Sequence, residues 1–84
     1  MTEFYYGVQE MARKADRSAS SGRQWAQQLP APEVVMVSSR PAGGWRLDTW
    51  KKFADARQEP LRADLLKTIA KFEEEELALY RKYH

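Results

Sequence analysis

The chain has 84 residues, and its 43 % hydrophobic and 31 % charged content is typical of a folded domain rather than a disordered segment. It has no cysteine, which excludes disulfides and thiolate metal sites, and its formal net charge is only +2. Its first residues lack the features of a signal peptide, and no apolar run reaches the roughly 20 residues of a membrane span. We therefore expect a single domain over residues 1–84, located in the cytoplasm and not in a membrane.

The N-terminal region, residues 2–28, predicts one helix or a pair of helices. Its apolar residues recur at the spacing of one helix face, at Phe4, Val8, Met11, Ala12 and Ala15. Thr2 is the candidate N-cap. One interpretation has a break between Ser18 and Gly22, because serine hydroxyls compete for backbone hydrogen bonds and glycine adopts the left-handed cap conformation. Without that break, one helix would continue to residue 28.

Residues 33–47 predict a β-hairpin in the middle of the chain. Residues 33–39 contain its only β-branched run, which is typical of a strand. Residues 40–44 predict a turn because they contain Pro41 and two glycines, and residues 45–47 predict a short return strand. Because a two-stranded hairpin is marginally stable alone, we expect it to lie on the helices or to gain a strand from another chain.

Two further helices are predicted, over residues 48–58 and 60–83. Trp50 and Phe53 share one face of the first, and Pro60 suits the first position of the second. One broad side of the last helix carries Leu65, Ile69, Phe72, Leu79, Tyr80 and Tyr83. The expected fold class is mainly α, a small helical domain with a short central β-hairpin and a long C-terminal helix.

The residue types that could carry catalysis do not converge in this sequence. The single histidine, His84, is terminal, so no serine has an obvious base to activate it. The four consecutive glutamates at 73–76 point to all sides of a helix, and a metal site in a helical bundle would need Glu-x-x-His pairs. We therefore predict no enzymatic activity, no cofactor and no metal.

Aromatic residues form 12 % of the chain, which is more ring surface than a thin core obviously needs. Trp, Tyr and Arg are enriched at interface hot spots, and Trp45 and the Tyr5-Tyr6 pair are the rings hardest to bury together. We predict a small non-catalytic protein-binding module, a regulator or inhibitor that occupies a surface of a larger protein assembly or of a second copy. The predicted partner-binding residues are Tyr5, Tyr6, Arg40, Trp45, Arg46, Trp50 and Lys51.

The alternative prediction is a small DNA- or RNA-binding regulator. Basic side chains surround two tryptophans between residues 40 and 57, as in a hairpin wing beside a basic helix. Asp55 lies four residues after Lys51 and would partly neutralise it, which makes this alternative the weaker one. The residues that would contact nucleic acid are Arg46, Lys51, Lys52 and Arg57.

Overall fold

The computed structural model describes residues 3–39 and 41–83, without the side chain of Tyr83, so Thr2, Arg40 and His84 lie outside the described residues. The described chain forms four helices and one antiparallel pair of strands. Their order is α1 (Val8–Lys14), α2 (Ala19–Gln28), β1 (Val34–Met36), β2 (Ala42–Gly44), α3 (Leu47–Asp55) and α4 (Leu61–Tyr83). Helix α1 packs against α2 and α4, and α3 packs against α4. The predicted fold class is confirmed.

The N-terminal region contains two helices, and the first begins at Val8 instead of residue 2. The Tyr6 amide donates to the Trp45 carbonyl at 2.8 Å, and the Trp45 amide donates to the Tyr6 carbonyl at 3.0 Å. This pairing adds the N-terminal segment to the hairpin and competes with helix formation, which Gly7 already disfavours. The prediction that the first helix includes residues 3–7 is therefore wrong.

Helix α1 ends in a Schellman motif. The Arg17 amide donates to the Ala12 carbonyl at 2.7 Å, and Asp16 adopts the left-handed conformation with a φ of 59°. Ser18 then caps α2, because its side chain accepts a hydrogen bond from an amide of the first turn. The break comes before the predicted position, and Gly22 lies inside α2 instead of capping a helix.

The return strand of the hairpin is β2, which precedes the predicted residues 45–47. It pairs with β1 in antiparallel register, with Val35 opposite Gly43. A Cβ at Gly43 would lie 2.6 Å from Cγ of Pro32, so only glycine allows this close approach. The prediction of the return strand was wrong because the two glycines, assigned to the turn, belong to the strand itself.

The core lies where the helices meet the hairpin, and its centre is Trp50, which is 0 % exposed. Trp25, Trp45 and Phe53 contact this indole edge to face, at ring-centroid distances of 6.1, 6.0 and 5.7 Å. The Trp50 indole N–H donates to the Tyr6 carbonyl at 3.1 Å, so its polar group is satisfied. Other buried side chains in this core are Met11, Leu29, Leu47, Leu65, Ile69 and Phe72.

The glutamate run of α4 makes contacts with more than one helix. Glu73 lies 3.1 Å from the Lys51 ammonium of α3, and Glu75 lies 3.1 Å from the Lys14 ammonium of α1. Glu73 and Glu75 are two residues apart, so two steps of about 100° point their side chains to nearly opposite sides of α4. The run therefore links α4 to both neighbouring helices.

Candidate partner-binding surface

Three of the predicted contact residues lie in the core. Trp45 and Trp50 are 3 % and 0 % exposed, and Tyr6 is also buried. The Trp45 indole N–H donates to the Pro30 carbonyl at 2.9 Å. Of the three rings expected to be hardest to bury together, Trp45 and Tyr6 are buried and Tyr5 is half-buried, because the N-terminal segment pairs with Trp45 and carries Tyr6 under α4.

The Tyr6 hydroxyl has a structural partner on α4. It donates to Oε2 of Glu76 at 2.8 Å, and its ring centroid lies 4.5 Å from that of Phe72. Burial, followed by the hydrogen bond to Glu76, raises the pKa of Tyr6 well above its ordinary value. This hydroxyl stays protonated and joins the N-terminal segment to α4.

Two other predicted contact residues, Tyr5 and Arg46, lie side by side at the surface with Glu3. The Tyr5 hydroxyl donates to Oε2 of Glu3 at 2.7 Å, and Nη2 of Arg46 donates to the same oxygen at 2.9 Å. The Arg46 guanidinium also lies 5.7 Å from the Tyr5 ring centroid. The hydrogen bond from Tyr5, and after it the charge of Arg46, lower the pKa of Glu3.

Glu33 anchors the beginning of the hairpin to α3. Its Oε1 accepts hydrogen bonds from Oγ1 of Thr49 at 2.6 Å and from the Arg46 amide at 3.1 Å. Arg46 is the N-cap residue of α3 and makes no side-chain cap of its own, so Glu33 supplies an acceptor at this helix end. The hydrogen bond from Thr49 is the main cause that lowers the pKa of Glu33.

The basic residues predicted to contact nucleic acid have partners within the chain. Arg46 pairs with Glu3 and Lys51 pairs with a glutamate of α4. Arg57 donates to a glutamine of α2 and lies over the ring of Phe53, 4.5 Å from its centroid. These contacts reduce the positive field available to a phosphate backbone, whereas Lys52 remains exposed on α3.

The largest exposed apolar run lies on the hairpin and was not among the predicted contact residues. Val35, Met36 and Val37 are 52, 67 and 97 % exposed. Within the described residues the sheet has only two strands, so the outer edge of β1 has no neighbouring strand. A strand that covers a core buries alternate side chains, whereas residues 34–37 are apolar at every position. A continuous apolar run is equally typical of a strand buried on both faces, so the sequence did not distinguish exposure from burial here.

An apolar groove of about 640 Å³ lies beside this strand. Val34 and Met36 of β1 line it, together with Tyr5, Val8 and Ala26 from the N-terminal region. Residues 42–44 of β2 line the groove as well, so it lies on a face of the hairpin to which both strands contribute.

Comparisons of this chain with protein families, curated proteins and solved structures found no match. None of the helices in the described residues has both the length and the apolar character needed to cross a membrane. Nor do three His, Asp or Glu side chains come together there as the ligands of a metal ion would.

Proposed function

We propose that the protein is a non-catalytic protein-binding module whose partner pairs with the outer edge of β1. The observation that carries the proposal is the exposure of three consecutive apolar side chains. Val35 and Met36 lie on β1, which has no outer neighbour among the described residues, and Val37 directly follows β1. Proteins commonly protect such edges with charges, prolines or bulges. Residues 34–37 contain no charge and no proline, so this edge is open to another strand.

The chemistry of the edge favours an extended, apolar protein segment as its partner. Main-chain N–H and C=O groups of such a segment pair with those of the edge, and alternate side chains enter pockets beside it. Val34 and Met36 share the face of β1 that lines the groove, so the groove supplies these pockets. By occupying the partner's segment, the protein would act as a regulator or inhibitor.

The test compares two substitutions that each add one positive charge at an exposed apolar side chain. Val37→Lys changes the strand region, and Leu79→Lys changes α4 outside this region. The wild type and each variant are immobilised, and lysate of the native host is passed over them with and without nuclease treatment. The captured protein is then purified and its dissociation constant measured at two salt concentrations.

We expect Leu79→Lys to bind the purified partner as the wild type does, and Val37→Lys to bind it at least about tenfold more weakly. Affinity should change little with salt, because the contact is apolar. Equal affinity of all three chains would contradict the proposal. Capture that nuclease removes, with an affinity that falls steeply with salt, would instead favour the nucleic-acid alternative.

A further inference from the structure

Helix α4 carries a second apolar stripe, separate from the one that enters the core. Leu65, Ile69 and Phe72 face the core. About 100° around the helix, small and apolar residues recur at heptad positions. We call this set the outer stripe: Ala63, Leu66, Ala70, Leu77 and Tyr80, with Glu73 at the remaining position.

Most side chains of the outer stripe are exposed to solvent, and Leu66 also packs against the edge of the core. Leu77 and Tyr80 are 53 and 41 % exposed, Ala63 and Ala70 are exposed, and Leu66 is half-buried. Ala63 lies near one end of the outer stripe and Ala70 near its middle, and these small side chains allow a second helix to approach closely.

We propose that the outer stripe pairs antiparallel with the outer stripe of a second copy of this chain. A two-fold axis midway between positions 70 and 73 relates the two copies. It places two alanines of each copy opposite larger side chains of the other, and a leucine of each copy opposite a leucine of the other. The opposed pairs are Ala63 with Tyr80, Leu66 with Leu77, and Ala70 with Glu73. Because Ala70 is small, the salt bridge between Glu73 and Lys51 has room to persist in the pair.

Charges beside the outer stripe support a second copy in this orientation. Lys67 and Glu74 are exposed, occupy equivalent heptad positions, and make no salt bridge within the described residues. In the antiparallel pair, Lys67 of each copy faces Glu74 of the other, which gives two opposite-charge pairs. A parallel pair would place Glu73 against its own equivalent, and like charges there destabilise the contact.

The contact is small, so the dimer is weak. The outer stripe from Ala63 to Tyr80 is about 26 Å long at about 1.5 Å per residue. One helix face of this length buries less than the roughly 800 Å² per partner of a standard interface. We expect a dissociation constant on the order of 10⁻⁴ M.

Sedimentation velocity of the full chain, over concentrations on both sides of that constant, tests the proposal. The wild type should change from monomer to dimer, and Leu77→Lys should remain monomeric because it places a charge in the apolar contact. Lys67→Glu and Glu74→Lys should each weaken the dimer by about tenfold, because two attractive pairs become repulsive. An equimolar mixture of these two variants should dimerise as tightly as the wild type, since each facing pair is again of opposite charge.

Arg23→Glu is the matched control, because it makes the same change in charge as Lys67→Glu at an exposed site on α2. It should dimerise as the wild type does, and circular dichroism should show that every variant is folded. A wild type that remains monomeric, or a mixture that does not recover, would overturn the proposal. So would a dimer that survives Leu77→Lys and is lost in Val37→Lys, because that contact would lie at β1. The outer stripe is separate from the β1 edge, so failure here leaves the proposed function standing.

Discussion

The core around Trp50 and the exposed strand β1 differ in composition from what their positions would suggest. The core encloses the tryptophans, which are typical of interface hot spots, whereas β1 exposes valines and a methionine, which are typical of interiors. The difference arises from which segments cover each side chain. Trp45 is covered because the N-terminal segment pairs with it, whereas β1, within the described residues, packs mainly against β2.

The largest expected effect comes from emptying the core. Trp50→Ala should lower the free energy of unfolding by about 3–5 kcal/mol, because it removes a fully buried indole and leaves a cavity. That loss is comparable with the whole stability of a small domain, so denaturant titration should show a lost or greatly weakened transition. The control is Val37→Ala at the exposed position directly after β1, which should change stability by less than about 0.5 kcal/mol. Similar losses of unfolding free energy in Trp50→Ala and Val37→Ala would contradict the contrast between a closed core and an exposed strand.

A smaller effect is expected where the N-terminal segment joins α4. Tyr6→Phe keeps the ring and removes the hydroxyl that donates to the half-buried Glu76 carboxylate. The loss should be about 1–2 kcal/mol, near the lower end for hydrogen bonds to charged groups. Tyr5→Phe, which removes an exposed hydroxyl bonded to Glu3, is the control and should cost less, as equilibrium unfolding in urea would show. A larger loss of stability in Tyr5→Phe than in Tyr6→Phe would contradict the role given to the Tyr6 hydrogen bond in joining the N-terminal segment to α4.

The smallest effect concerns the joint between the two regions, where Glu33 connects the hairpin to α3. Its pKa is lowered below the ordinary 4.5 in the folded state, chiefly by the hydrogen bond from Thr49. Folding is therefore stabilised above the unfolded-state pKa, and that contribution disappears as the pH falls through the lower folded-state pKa. Because Glu33 is solvent-exposed, screening keeps the effect small.

Melting temperatures of the wild type and Glu33→Gln, measured from neutral pH down through the acid range, would check this contribution. The wild type should melt higher at neutral pH, and the two curves should converge as Glu33 becomes protonated. A difference that stays constant through the acid range would show that Glu33 contributes nothing through its charge.

Local periodicity predicted most of the helical architecture. Trp50 and Phe53 share a buried helix face, as do Leu65, Ile69 and Phe72, because these patterns lie within one element. Pairing between Tyr6 and Trp45 joins distant segments and leaves no periodic signal, so the beginning of α1 and the burial of both rings were missed. Schellman termination at Asp16 was missed because the residue is not glycine.

The candidate site was harder to predict than the fold. The apolar run at residues 34–37 identified a strand, and the expectation that the hairpin needs support from helices or another chain followed from its small size. Which face of that strand stays open depends on what packs beside it, and composition does not contain that information. Arg46 is exposed and Tyr5 is half-buried, and both donate hydrogen bonds to Glu3 within the chain, so their role as partner contacts stays a prediction.

The two regions each contain a methionine, and its oxidation gives the most direct test of the contrast between them. Met11 is 0 % exposed in the core, and Met36 is 67 % exposed on β1. Dilute hydrogen peroxide converts accessible methionine to its sulfoxide, which peptide mass spectrometry quantifies at each position. In the folded protein Met36 should oxidise at nearly the rate of a free methionine, while Met11 should stay reduced until denaturant is added. Equal rates at the two positions, or faster oxidation of Met11, would contradict the account of a closed aromatic core beside an open strand.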